Sequence, residues 1–260
     1  MEKGVPIRSI SRCISVLQAL NKHGSLSMMA ISRQGEVPYP TACRIVQTLI
    51  VEGLIEQEPS RKHYRPTALV QSLAHGYRSD SLLVDVAQQP IRELTKAIGW
   101  PVSITVRVGT HMVVRDSTHA ETALTFERYY PGYTLPLLDT ASGRVCLAQM
   151  HPDELENVMR WLAVTDEGAG KPRPLFDFDT TLNRIRTDGY AAQDWGQHNL
   201  TPGKTSTIAV PIFRNGQFHA ALTMIYFAAA MKQVQAVSEH LGALQRTALL
   251  ISGLLSDKAS

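Results

Sequence analysis

The sequence predicts an α+β fold in two parts, a small helical domain followed by a larger sheet domain. Three observations support this prediction. The chain has 260 residues, which is more than one average domain contains. Apolar residues recur at helical spacing in the first quarter, whereas beyond Pro101 they alternate with period two. We expect the small domain at residues 1–67, a joining helix at 68–80 and the larger domain at 81–260.

The small domain begins with two predicted helices. The first ends at His23 and Gly24, and its apolar stripe consists of Ile10, Cys13, Ile14, Leu17 and Leu20. The second is shorter, with Ser27 as its N-cap and an end near Gly35.

A third helix is predicted to begin at Pro38 and Pro40. Its inward positions follow the i, i+3, i+4 pattern and are Ala42, Ile45, Val46, Leu49 and Ile50. Its opposite face starts with Tyr39, Thr41, Cys43 and Arg44 and continues to Gln47 and Thr48. Such side chains can hydrogen-bond phosphates and base edges when a helix lies in the major groove of DNA.

Residues 54–58 and 61–65 are predicted as two short strands around the turn Pro59-Ser60. Three helices and a hairpin with a basic tip, in this order, are typical of a winged helix-turn-helix. The alternative is a generic three-helix core with a solvated basic turn. On the first interpretation, DNA is contacted by Tyr39, Thr41, Ala42, Arg44, Arg61, Lys62 and His63.

The charge distribution favours the DNA-binding interpretation. Residues 1–66 carry nine Lys or Arg and five acids, an excess of four, and the rest of the chain carries −1 of the total +3. A basic small domain on a nearly neutral large one is typical of nucleic-acid binding, because each phosphate contact releases counterions.

The joining helix is predicted from Leu69, Val70, Leu73 and Ala74, and a further helix covers residues 81–98. Beyond it, two β-hairpins are predicted, one turning at Gly109-Thr110 and one at Asn215-Gly216, a dipeptide that favours a type I′ turn. Helices are predicted near residues 140–150, 152–162, 179–188 and 234–255. We expect the helices to lie on one side of the sheet.

Several other functions lack the residues that they need. Gly203-Lys204-Thr205 is not a phosphate-binding loop, because His198 stands where the first glycine is required. Ser142 is not within a G-x-S-x-G motif. Nine histidines and three cysteines show no metal-ligand spacing, so no metal and no cofactor are expected. No stretch is apolar enough to span a bilayer, and we expect a cytoplasmic protein.

Residues 41–55, with Thr41, Arg44, Leu49 and Gly53, followed by Tyr64, resemble the signature of the IclR family. The resemblance continues through residues 135–143, 188–190 and 208–212. One departure is Glu36, where the family usually has glycine, with Gly35 one place earlier. Within the family, residues 124–128 and 225–231, among others, look most like regulators of 3-hydroxyphenylpropionate and related aromatic-acid catabolism.

The resemblance implies a transcription factor and not an enzyme. It implies a homodimer or tetramer that binds a palindromic DNA operator, with dimer contacts through the joining helix, and a GAF-like C-terminal domain that binds a small effector, here an aromatic carboxylate. A sensor without DNA contact and a weak hydrolase using Ser142 remain as alternatives.

The family's effector lies on the concave side of the sheet, against the N-terminus of the helix that follows the small-residue run. Free N–H groups and positive potential at a helix N-terminus suit a carboxylate. The matching positions are Ala141, Ser142, Gln193, Thr207, Thr223 and Ile225. Further candidates are Trp195, Phe126, Tyr129 and Tyr226 for an aromatic lining, and Arg128 and Arg115 for an anion.

Overall fold

The computed structural model describes residues 7–75, 81–125, 129–166, 178–193 and 204–258. The chain forms two compact units, Met1–Ser79 and Asp80–Ser260.

The first unit contains three helices, α1 (Arg8–His23), α2 (Met28–Gln34) and α3 (Tyr39–Val51), as the sequence predicts. Three short strands form an antiparallel sheet in the order β1-β3-β2, namely β1 (Leu26–Ser27), β2 (Ile55–Gln57) and β3 (His63–Pro66). The hairpin of β2 and β3 is the predicted wing, whereas β1 was not predicted. The core of this unit is formed by Val16, Leu20, Ile31, Val37, Ala42, Val46, Leu49 and Ile55.

In the turn between α2 and α3, the left-handed residue is Glu36 and not the glycine before it. Glu36 has φ 52°, in the left-handed region that favours glycine, whereas Gly35 is right-handed. At Gly35, a Cβ would make a close contact of 3.0 Å with the Ile31 oxygen. Glu36 thus holds the left-handed position of this turn, and its side chain is exposed.

The joining segment begins as a 3-10 helix (Ala68–Gln71) and continues as α4 (Ser72–His75). Thr67 caps its start by accepting a hydrogen bond from the Leu69 amide, 3.2 Å away. The remainder of the predicted joining helix lies outside the described residues.

The second unit opens with α5 (Ser81–Ile98) and the hairpin β4 (Val102–Val108) and β5 (His111–Ser117). The chain continues through β6 (Thr134–Pro136), α6 (Ala141–Ala148), α7 (Pro152–Asp166), α8 (Phe178–Asp188) and β7 (Ala191–Gln193). It ends with β8 (Thr205–Arg214), β9 (Gln217–Phe227) and α9 (Gln233–Asp257). Strands β6 and β7 were not predicted.

The six strands form one antiparallel sheet in the order β6-β5-β4-β9-β8-β7. The β8–β9 turn has positive φ at both Asn215 (51°) and Gly216 (77°), as a type I′ turn requires. The α+β class is therefore confirmed.

The placement of the helices differs from the prediction, because they cover both faces of the sheet. One face, with Ile208, Val210 and Leu222, packs with α5 and α9. The other face, with Ala209 and Ala221, packs with α6 and α8. Neighbouring residues of a strand point to opposite faces, so a strand that is buried at consecutive positions must be covered on both sides.

Candidate DNA-binding face and ligand pocket

The exposed side of α3 carries most of the predicted DNA contacts. Tyr39 is 50% exposed, Arg44 is exposed and Thr41 is half-buried. Ala42 is 0% exposed and belongs to the core, so its inclusion among the DNA contacts was wrong. It lies on the inward stripe of α3, where its methyl group fills space between helices.

Helix α1 also contributes to this face, which was not predicted from the sequence. Ser9 and Arg12 from α1 line a surface groove together with Thr41, Arg44 and Thr48 from α3. Neither Arg12 nor Arg44 forms an ion pair with a described residue. Two arginines and three hydroxyl groups along one groove suit a phosphate backbone. The spacing of Ser9 and Arg12, at i and i+3 on one face of the helix, was the available signal.

The arginines of the wing differ from those of the groove, because glutamates of the same hairpin pair with them. Arg61 Nε lies 2.5 Å from Glu58 Oε2, and Arg65 Nη2 lies 2.7 Å from Glu56 Oε1. Hydrogen bonds from Arg61 and Ser25 lower the pKa of Glu58 to about 2, so Glu58 remains charged at neutral pH. Among the described wing residues, Lys62 is the exposed cation without an acidic partner.

His63, the last predicted wing contact, lies within β3 opposite Ser27. Its side chain is half-buried, and its Nδ1 atom is buried without a hydrogen-bond partner among the described residues. This nitrogen is therefore directed away from solvent and from any DNA at the tip.

In the second unit, the six matched effector positions line a single cavity. Ala141, Ser142, Gln193, Thr207, Thr223 and Ile225 surround about 620 Å³ of empty space that opens to solvent. Tyr129 is part of the lining, whereas Tyr226 is buried in the core on the other face, 6.3 Å from Trp100 between ring centroids. Phe126, Arg128 and Trp195 lie outside the described residues.

The cavity exists because α6 covers only part of its sheet face. Beneath α6 the sheet presents the small residues Ala209 and Ala221. Further along the same face, Ser103 pairs with Thr223, and Thr207 pairs with Ile225, beyond the first residue of α6. Helix α6 lies so close to the preceding loop that a Cβ at Gly143 would overlap the backbone of Leu137. The N-terminus of α6 therefore lies at the border of the cavity.

Apart from Asp139, the described polar residues of the lining are uncharged. Thr140 caps α6, with its Oγ1 accepting from the Gly143 amide at 3.1 Å, and Gln193 Nε2 donates to the backbone oxygen of Asp139 at 2.8 Å. The amides of Ala141 and Ser142 donate to no acceptor within the described part of the chain. Thr223 is 6% exposed, and its Oγ1 lacks a described hydrogen-bond partner. These groups can bind a ligand that accepts hydrogen bonds.

The geometry does not support the hydrolase alternative. Ser142 Oγ donates to Thr140 Oγ1 at 3.2 Å, and no histidine is among the described residues that line the cavity. A serine nucleophile needs an adjacent base. Within the described ranges, no group of three His, Cys, Asp or Glu residues could hold a metal ion, and no described helix is long and apolar enough to cross a membrane.

Comparisons with known proteins agree with this arrangement. A family model described as "Bacterial transcriptional regulator IclR C-terminal" matches residues 75–253, and a MarR family model matches residues 9–66. The probable transcriptional regulator SauR of Cupriavidus necator is 28% identical over 204 residues, 78% of each chain. The DNA-binding transcriptional repressor YiaJ of Escherichia coli is 25% identical over 242 residues, 90% of this chain and 83% of that one.

Solved structures share the fold. An IclR homologue from Microbacterium hydrocarbonoxydans, complexed with 4-hydroxybenzoate, has a TM-score of 0.67 at 22% identity, covering 97% of this chain and 100% of that one. Thermotoga maritima IclR has a TM-score of 0.62 at 20% identity, with 95% and 98% covered. The helix-turn-helix unit and the sheet domain thus match in both sequence and fold. The chain belongs to the IclR family of bacterial transcriptional regulators.

Proposed function

We propose that this regulator binds an operator through the groove between α1 and α3 and through its wing, and that an aromatic carboxylate in the cavity controls this binding. The observation that carries the effector proposal is the convergence of six family positions, from four separate elements, on one cavity at the N-terminus of α6. Bacterial DNA lies in the cytoplasm, where such a regulator would act.

Two groups of residues support a carboxylate ligand with a ring. The amides of Ala141 and Ser142 provide hydrogen-bond donors at the positive end of a helix. Tyr129, Leu135 and Ile225 supply apolar surface in the same cavity. A neighbour in fold binds 4-hydroxybenzoate, and the sequence resemblance points to regulators of 3-hydroxyphenylpropionate catabolism.

Exposed apolar residues support a homodimer. On α1 and before it, Ile7 and Ile14 are 62% and 49% exposed, and in the joining segment Leu69 and Leu73 are 48% and 65% exposed. A monomer rarely leaves so many large apolar side chains in water within one small unit. A dimer would also supply two recognition helices for a palindromic operator, either alone or within a tetramer.

Calorimetry with the full chain tests the effector proposal. The ligands are 3-phenylpropionate, benzoate, pyruvate and glyoxylate, and we expect binding of the aromatic acids. Ser142→Phe, which fills the cavity, should abolish binding and the response of DNA affinity to ligand, whereas Ser142→Ala should preserve both. DNA binding without ligand should remain in both variants. Binding of only the keto acids would refute an aromatic effector, and binding of none would refute the effector role of this cavity.

Gel-shift measurements test the DNA proposal. The protein should prefer its own promoter region over random DNA, with two half-sites about 34 Å apart or a multiple of this distance. Equal affinity for both DNAs would refute specific operator binding.

A further inference from the structure

The cavity has two chemically different ends. Gln193 lies on β7 at one edge of the sheet, and Ser103 lies on β4, three strands away in the order β4-β9-β8-β7. Three strand spacings place these two strands about 14 Å apart. Gln193 bonds the backbone oxygen of Asp139, two residues before α6 begins. The amides of Ala141 and Ser142, which suit an anion, therefore lie at the end of the cavity near β7. The Ser103 end is distant from it.

At the Ser103 end, a chain of contacts links the cavity to a buried histidine. Ser103 pairs across the sheet with Ser117 of β5. Ser117 Oγ lies 2.5 Å from His119 Nδ1, and the His119 ring lies 4.5 Å from the ring of Tyr129 at an angle of 46°. Tyr129, like Ser103, lines the cavity.

His119 is an unusual residue in this position. It is 3% exposed, and its Nε2 atom is buried without a hydrogen-bond partner among the described residues. Burial lowers the pKa of His119 to about 4, so the ring is neutral at physiological pH. Neutral polar groups hydrogen-bond a neutral ligand group without attracting a second anion, and a buried polar group left unpaired is costly.

We propose that Ser103 and Tyr129, the latter positioned by His119, form a polar, uncharged subsite that hydrogen-bonds a hydroxyl group on the ring of the effector. The proposal rests on the proposed function and narrows the ligand to an aromatic acid with a hydroxyl group remote from its carboxylate. Ser103 and Tyr129 line the cavity and contact this hydroxyl group. His119 is a positioning residue that holds the Tyr129 ring.

The test measures the affinity of the full chain for two matched pairs, 4-hydroxybenzoate with benzoate and 3-(3-hydroxyphenyl)propionate with 3-phenylpropionate. In the wild type, the hydroxylated member of at least one pair should bind about tenfold more tightly, which corresponds to one well-made hydrogen bond. Tyr129→Phe deletes only the phenolic oxygen and should remove most of this preference while changing affinity for the unhydroxylated acids less than about twofold.

Two further variants separate positioning from folding. His119→Asn keeps a group able to bond Ser117 but removes the ring that contacts Tyr129, and it should also reduce the preference. Tyr130→Phe is the control, because Tyr130 contacts Tyr133 at 5.6 Å but does not line the cavity. If His119→Asn fails to fold, Tyr129→Phe still decides the question.

Equal wild-type affinity within both pairs would overturn the subsite while leaving an aromatic effector in place. An unchanged preference in Tyr129→Phe and in His119→Asn would also overturn it. Binding of none of the four acids would overturn the subsite together with the proposed function.

Discussion

Arg44 and Arg61 carry the same charge but differ in what surrounds them. Arg44 lines the α1–α3 groove without an acidic partner among the described residues, whereas Arg61 is paired with Glu58. An exposed ion pair stabilises a protein little, but it does reduce the net charge that DNA meets. The two sites should therefore respond differently to substitution.

We expect Glu58→Gln to strengthen binding to random DNA, because it leaves the charge of Arg61 uncompensated. The slope of log K against log salt concentration should become steeper by up to about one unit. Arg44→Ala should instead weaken binding to the operator more than binding to random DNA. The expected difference is about 1 to 3 kcal/mol if Arg44 contacts a base. Titrations of both DNAs at several salt concentrations measure these effects. Glu52→Gln, just after α3, is the matched control for loss of an acid. An unchanged slope in Glu58→Gln would show that the wing tip does not approach phosphates.

The buried His119 predicts a pH dependence of stability. Its folded-state pKa of about 4 lies below the ordinary value of 6.5, so between these two values only the unfolded chain is protonated there. The free energy of unfolding should therefore fall by about 1 kcal/mol for each pH unit of acidification within this window. Burial raises the pKa of Asp116, which acts in the opposite direction. Comparing wild type with His119→Asn by denaturant titration cancels that contribution, and parallel curves would contradict the prediction.

The sequence was a good guide to which residues face the cavity and a poorer one to charge pairing. The cavity positions were matched from the family resemblance, and alternation along β9 keeps Thr223 and Ile225 on one face of the sheet. Ala42 was misassigned because it belongs to both the helix stripe and the signature region. The partners of Arg61 and Arg65 depend on how the hairpin closes, which brings Glu56 opposite Arg65.

At the scale of the elements, the turn between α2 and α3 contains a strained backbone conformation that a glycine substitution would relieve. Glu36 has φ 52°, a conformation that costs a side-chain-bearing residue about 1 kcal/mol more than glycine. Glu36→Gly should therefore raise the free energy of unfolding by up to about 1 kcal/mol, less the extra entropy of glycine in the unfolded chain. Thermal or denaturant unfolding measures it. Gly35→Ala should stabilise less than Glu36→Gly, since Gly35 is already right-handed and its Cβ would lie 3.0 Å from the Ile31 oxygen. The opposite order of the two variants would contradict the assigned turn.

Helix α6 depends on Gly143, where a Cβ would overlap the backbone of Leu137. Gly143→Ala must therefore move the first turn of α6 away from the loop, and we expect lower stability and at least tenfold weaker effector binding. Gly253→Ala in α9 is the control, because a Cβ there meets nothing within 4 Å. Alanine in that helix should stabilise by about 0.5 to 1 kcal/mol. Normal ligand affinity in Gly143→Ala would show that α6 does not position the ligand.

The long helices and the two hairpins of the second unit could be predicted, because each carries many periodic positions or a specific turn. Strands β1, β6 and β7 have two or three residues each, too few to show a period, and they form only because a neighbouring strand offers hydrogen bonds. The second helical layer was missed although β8 contained the signal. Ile208, Ala209 and Val210 are buried in succession, and such a run requires cover on both faces.

For the whole molecule, the exposed isoleucines of α1 make the oligomeric state testable. Ile14 is 49% exposed and lies outside the groove that contains Arg44. If α1 contributes to a dimer, Ile14→Gln should shift the sedimentation of the protein towards the monomer and weaken binding to the full operator far more than to a half-site. Val108→Gln, on a residue that is 56% exposed in the other unit, should change neither. A stable dimer in Ile14→Gln would exclude α1 as a major contact.

The two-faced sheet of the second unit also affects how such a regulator can diverge. The small residues on the cavity side, Ser103, Thr207 and Thr223, share their strands with the large core residues Ile104, Ile208 and Met224, but point the other way. Exchanging a cavity residue therefore leaves the α5–α9 core packing untouched. Under the proposed effector role, substitutions at these three positions should change ligand preference without compensatory mutations in that core, so the cavity can diversify independently of the rest of the fold.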